Sequence, residues 1–185
     1  MKTNASLEIY AYWDELRGER AAPLRSEIEP GHIRHVLPDL FVLTDVGDEA
    51  PIFRLTGTRL YNLFKRELSE TPFSMIWRSG DAEDACRIAN GVLLHERPVI
   101  FDIWAESASG HAAQEFEMLL LPLEAEPHFP PRLLGALISD PPLADFGQAF
   151  KPLTLIRSRL IEASTASLMA QRPDFGFSLE RCVSQ

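Results

Sequence analysis

The chain has 185 residues, 45% hydrophobic and 24% charged, which suits one globular domain with short extensions and a core that needs no disulfide or metal staple. With 27 acidic against 18 basic residues the net charge is -9, and the Arg and Lys residues are dispersed, so the basic stripe that nucleic-acid binding requires is missing. No run approaches the ~18 apolar residues that span a bilayer. Glu8, Asp14 and Glu15 interrupt the start where a signal peptide stays apolar, so a cytoplasmic location is expected.

The first element reads as a helix. Leu7, Tyr10, Trp13 and Leu16 fall at three-residue intervals, Ile9 and Tyr12 widen the stripe, and Asn4 or Ser6 is placed to cap it. Its aromatic face has two possible uses: to cover the domain's own sheet, or to pair with a second copy as a dimer or signalling face. A proline-bearing segment follows, and then 41–46 and 52–57 form a predicted hairpin around a turn-rich stretch. At Thr56-Gly57-Thr58 the hydrophobic period changes from strand to helix, with Leu60, Leu63, Phe64 and Tyr61 expected inward. Residues 74–77 read as a single helical turn. A longer helix runs from Gly80 to His95, with Ala85, Ile88, Ala89 and Val92 inward and Cys86 as a buried thiol. Strands are expected at 99–106, 114–125 and 132–139, with Pro122 marking an edge or bulge, and a last helix around 154–171. This order predicts an α+β fold, with helices packed on one face of an antiparallel sheet.

Motifs for chemistry are sparse. The Thr56-Gly57-Thr58 corner has one glycine, whereas a phosphate loop or dinucleotide fingerprint needs two or three, so a tight turn is the better reading. His32 and His35 are three apart, but no acidic or Cys residue completes a metal site, and Cys86 and Cys182 match no metal spacing. There is no Gly-x-Ser-x-Gly elbow. Glu115 and Glu117 share a strand face that reads as solvated. No catalytic residue and no enzymatic activity are therefore expected. The aromatic residues are more informative. Arg54, Tyr61, Phe64, Trp77, Phe101 and Trp104 are candidates to line a pocket for a small apolar or planar ligand. Strand alternation places Phe53 and Leu55 on one face and Arg54 on the other, with Ile52.

Several stretches occur together in an order that resembles the PAS domain, in its bacterial single-domain alphaproteobacterial form. They are residues 12–30, 37–46, 53–60 and 66–68, Trp77, and then 119–123 and 133–137. The resemblance implies a five-stranded antiparallel sheet flanked by helices, a sensory or protein-interaction role and a homodimer. It divides the chain into an N-terminal helix and connector (1–36), a PAS-like core (37–140) and a C-terminal extension (141–185). One departure stands out. Where members read Gly-Arg-Glu-Leu-Thr-Gly, this chain reads Lys65-Arg66-Glu67-Leu68-Ser69-Glu70, which puts the shape of that side of the pocket in question. Flavin is not expected, because no GRNCRFLQ-like stretch with a reactive Cys is present. Haem is not expected either, since His95 at the end of the crossing helix is its one histidine. The expectation is a stand-alone sensory module acting through a small ligand or an unknown protein partner. The alternatives are a carrier or enzyme using the same cavity, and a ligand-free adaptor.

Overall fold

The computed structural model describes residues 1–47, 49–110, 113–143 and 148–162. Among them, six strands form one antiparallel sheet: β1 (Leu40–Thr44), β2 (Ile52–Thr56), β3 (Val99–Glu106), β4 (Ala113–Leu123), β5 (Arg132–Asp140) and β6 (Thr154–Leu160), in the order β2-β1-β5-β4-β3-β6. Alternation divides the sheet cleanly. On β4, Phe116, Met118 and Leu120 face one layer, while Leu119, Leu121 and Leu123 face the other.

Each face carries its own cover, where the sequence pattern had suggested helices on one face. On the outer face lies α1 (Asn4–Arg17), with the short 3₁₀ turns that follow it. Ile9, Tyr10 and Trp13 are buried against Leu119, Leu121, Leu134 and Ala136. The cap is Thr3, whose hydroxyl accepts from the Ser6 N–H at 3.0 Å, in place of the expected Asn4 or Ser6. On the inner face lie α2 (Thr58–Phe64), a 3₁₀ turn (Phe73–Ile76) and α3 (Ala82–His95). Ala85, Cys86, Ala89, Val92 and Leu93 of α3 are buried, and Ile88 packs at the margin. Burial pushes the Cys86 thiol up to about 11.

Pro122 lies within a central strand, yet its missing N–H is harmless. Pairing with β3 has already ended at Leu120, and the free Pro122 carbonyl accepts the Trp13 indole N–H at 2.8 Å.

The sixth strand replaces the first part of the helix expected around 154–171; the remainder, from 163 on, lies outside the described residues. The physical reason is on β3. Asp102 is buried in mid-strand, and Arg157 and Arg159 of β6 reach it at 2.6–2.8 Å and 3.2 Å. Pairing with β3 aligns Arg157 with Asp102. The extension after residue 140 therefore contributes a strand to the same sheet. Phe150 and Leu153 also enter the inner core, with the Phe150 ring edge-on to Phe116 at 5.3 Å. The outer edge of β6 is blunted by its two arginines and by a bulge at its own Ile156, opposite Asp102 and Ile103 of β3.

Candidate functional site

The Thr56-Gly57-Thr58 corner sits at the rim of the inner layer, and its glycine has a steric purpose. Gly57 has φ -71°, which any residue adopts. A Cβ there would lie 2.3 Å from the Pro38 carbonyl oxygen and 2.4 Å from that of Leu37. The 37–39 turn thus rests directly on the corner, and the Gly57 N–H donates to the Leu40 carbonyl at 2.7 Å. This packing aligns Arg59 with the buried Asp39, whose two oxygens it reaches at 2.6 and 2.7 Å. Burial pushes the Asp39 carboxyl up, against the opposing pull of the Arg59 guanidinium.

The departure at 65–70 places two non-glycine residues in the left-handed region. Lys65 and Glu70 stand where the family pattern has glycine, and both adopt the left-handed conformation, at φ 52° and 60°. Two ordinary side chains are held in a region that glycine enters without strain.

Behind this rim the inner layer is filled with aromatic rings. Phe41 meets Phe53 at 5.5 Å, Phe53 meets Phe73 at 5.7 Å, Phe73 meets Trp77 at 5.6 Å and Trp77 meets Phe101 at 5.7 Å between centroids. Gly135, opposite Phe41 in the sheet, leaves the space its ring takes: a Cβ there would be 2.1 Å from that ring. The Trp77 indole N–H is buried with no hydrogen-bond partner among the described residues.

Of the six candidate pocket residues, the structure brings Trp77 and Phe101 together in this layer, with Phe64 half-buried at its margin. The other three lie elsewhere. Arg54 is exposed and paired with Glu70, and Tyr61 is 52% exposed on α2. Trp104 emerges from the opposite face of β3 beside Glu115. Arg54 is the extra residue of a β-bulge: Val42 pairs with Leu55 and Leu43 with Phe53. The bulge breaks the expected alternation, so Phe53 is buried while Leu55 is 54% exposed.

The four residues of the suggested dimer or signalling face are likewise divided. Tyr10 and Trp13 are buried against the chain's own sheet, and Leu7 and Leu16 are half-buried. The in-cis alternative is the one observed for the aromatic pair.

A polar cluster that the sequence reading missed lies where α1 begins. Glu117, read as part of a solvated face, is 1% exposed and accepts from the Lys2 and Thr3 backbone N–H groups at 2.7 and 3.1 Å. A carboxylate at a helix N-terminus is favoured by the exposed amides and the helix dipole. Neighbouring Asp102 holds Arg157 and Arg159. Burial pushes its carboxyl up, but the hydrogen bonds from Arg157 and the charges of Arg159, Lys2 and Arg157 together bring it below its ordinary value. Two acidic residues on adjacent strands thus fasten the N-terminal helix and the last strand to one point of the sheet.

Among the described residues no group of three or more His, Cys, Asp or Glu is placed to hold a metal. His95 is exposed at the end of α3 and lines an outer groove, away from the inner layer. No described helix is long and apolar enough to cross a membrane.

An antiparallel sheet with α2, a 3₁₀ turn and a crossing α3 on one face, and an N-terminal helix on the other, defines an α+β module. A family model described as PAS domain matches residues 1–138, and the chain belongs to the PAS domain family. Its general role is that of a sensory or signalling module. No curated protein matches the chain.

Proposed function

We propose that this PAS domain signals through protein contact, with a closed inner layer and with α1 as the element that passes the signal. One observation carries this reading: the continuous aromatic packing from Phe41 to Phe101 fills the space between sheet and helices. An apolar ligand would have to displace rings already packed against one another, and core packing tolerates added volume poorly. Helix α1 suits transmission because few groups fasten its start. Glu117 holds two backbone amides there, and Trp13 holds one carbonyl further along.

Native mass spectrometry of the purified full chain tests the proposal. A clean apoprotein mass supports it, and a stoichiometric retained small molecule overturns it. The same spectrum reads the oligomeric state. A homodimer remains part of the proposal, formed through surfaces other than Tyr10 and Trp13.

A second reading rests on the unpartnered Trp77 indole. A buried donor without a partner costs about 1–3 kcal/mol, and a small ligand with an acceptor oxygen beside Trp77 would recover this. On that reading the module senses a small ligand, and the retained mass identifies its class.

A further inference from the structure

Between α3 and β6 runs an open groove of about 490 Å³. Its floor is apolar, made by Ile88, Gly91 and Val92 of α3, Val99 of β3 and Leu160 of β6, and Leu160 is 54% exposed. Arg87, His95 and Arg97 stand along it, and none of its lining residues is acidic, in a chain with 27 acidic residues. Arg87 is shared with Asp84 at 2.8 Å, whereas Arg97 forms no ion pair among the described residues.

Gly91 is the second observation. It sits in the interior of α3, where glycine weakens a helix relative to alanine. Nothing lies within 4 Å of where its Cβ would be, so the chain's own packing does not ask for glycine there. The missing side chain deepens the groove instead.

We propose that this groove docks an acidic amphipathic segment of a partner protein, its apolar face over Gly91 and Leu160 and its carboxylates toward Arg97 and Arg87. Charge complementarity selects an acidic occupant, since the lining carries Arg87, Arg97 and Arg159 and no carboxylate. The openness of the groove selects a polypeptide, because a small molecule is held by a cleft that buries most of its surface. A helix laid in an apolar groove through anchors one turn apart is an established recognition mode. The proposal rests on the protein-contact reading above. The two fail separately, because the native mass reports on the inner layer and a peptide titration reports on the groove.

The probe is a fluorescein-labelled peptide of about four helical turns, with Leu on one face and Glu on the other, titrated into the full-length protein. A counterpart with Lys for Glu is the control. Binding of the acidic peptide, with amide shifts in NMR spectra confined to Gly91, Val92, Val99 and Leu160, supports the proposal. Gly91→Leu, which fills the groove while favouring the helix, should weaken binding by about tenfold or more. Arg97→Glu should weaken it and flatten its salt dependence. Near-UV circular dichroism verifies that both variants keep the native fold. Absence of binding, equal binding of the lysine peptide, or undiminished binding to Gly91→Leu overturns the proposal. It is also overturned if Gly91→Leu abolishes self-association in light scattering, which would make the groove a seat for a second copy. Gly91-dependent binding to phosphatidylglycerol vesicles in place of the peptide would overturn it in favour of a membrane surface.

Discussion

Gly57→Ala tests whether the strand-to-helix corner is set by close approach or by backbone freedom. Its φ of -71° suits alanine, so backbone preference alone predicts a small gain from a stiffer unfolded chain, about 0.4–1 kcal/mol. The structure predicts the opposite sign. The new Cβ would stand 2.3 and 2.4 Å from two backbone carbonyl oxygens, roughly 1 Å inside ordinary contact. A backbone turn cannot rotate away as a side chain can. Relief requires moving 37–39, which stretches the paired contacts of Arg59 with buried Asp39 at 2.6 and 2.7 Å. Overpacking costs about 1–3 kcal/mol, and weakening a buried ion pair from one side adds a further 1–3 kcal/mol or so. After the entropy gain the net loss is about 1–5 kcal/mol, centred near 3, or roughly 6–12 °C in Tm at that centre for a chain of this size. Urea unfolding followed by tryptophan fluorescence measures it. Gly91→Ala is the internal comparison, expected to stabilise by about 0.5–1 kcal/mol because its Cβ meets nothing. A Gly57→Ala protein within about 0.5 kcal/mol of the parent would refute the reasoning.

Lys65→Gly should stabilise by about 0.5–1 kcal/mol, since it relieves a left-handed lysine at φ 52° on an exposed position; a lower urea midpoint would count against it. The folded-state Asp102 carboxyl lies below its ordinary value, so its stabilisation is complete above the unfolded value, about pH 3.9, and fades as pH falls through the lowered one. Asp102→Asn should therefore flatten the acid limb of the stability–pH profile, and an unchanged limb speaks against this. Buried Cys86, its thiol pushed up to about 11, should resist iodoacetamide in the native protein and react on unfolding, as peptide mass mapping reads directly. Glu117→Gln should loosen the start of α1 and raise hydrogen exchange there. In a double-mutant cycle with Phe101→Leu the two should couple by more than about 0.5 kcal/mol, and strict additivity would disprove the link.

Local patterns predict the strands β1 to β5 and α3, because each is a short apolar run or helical stripe bounded by its own turn or cap residues. What escaped were features set by pairing. The bulge at Arg54 cannot be seen in the alternation of Ile52 to Thr56, since an extra residue shows only against β1. Glu117 resembles any solvated strand glutamate until the amides of Lys2 and Thr3 arrive from far along the chain. β6 lies in a stretch whose sequence predicts helix. Its strand form is decided by Asp102, a buried charge on a neighbouring strand that needs cations. The candidate pocket divided for a related reason. Trp77 and Phe101 are fixed by burial, which hydrophobicity predicts, whereas the placement of Tyr61 and Trp104 depends on which face each element presents.

The same alternation gives the two faces of the sheet a short connection. Phe101 packs on Trp77 in the inner layer, and the next residue, Asp102, holds Arg157 and Arg159 on the outer side. On the paired strand, Phe116 and Met118 lie in the inner core and flank Glu117, which grips the start of α1. Asp102 and Glu117 are themselves register partners. A displacement of β3 or β4 by an inner-face event therefore acts on both anchors at once, through one peptide unit and with no intervening side chain. The anchors are hydrogen bonds to a carboxylate, which depend steeply on distance and angle. Aromatic packing on the other side of the strand is spread over many weak contacts among Phe41, Phe53, Phe73, Trp77 and Phe101, so losing a few of them leaves the layer in place. A small strand movement would then loosen the start of α1 and the Arg157 and Arg159 contacts of β6 before it disrupted the core, which is an order of events that suits a signalling module.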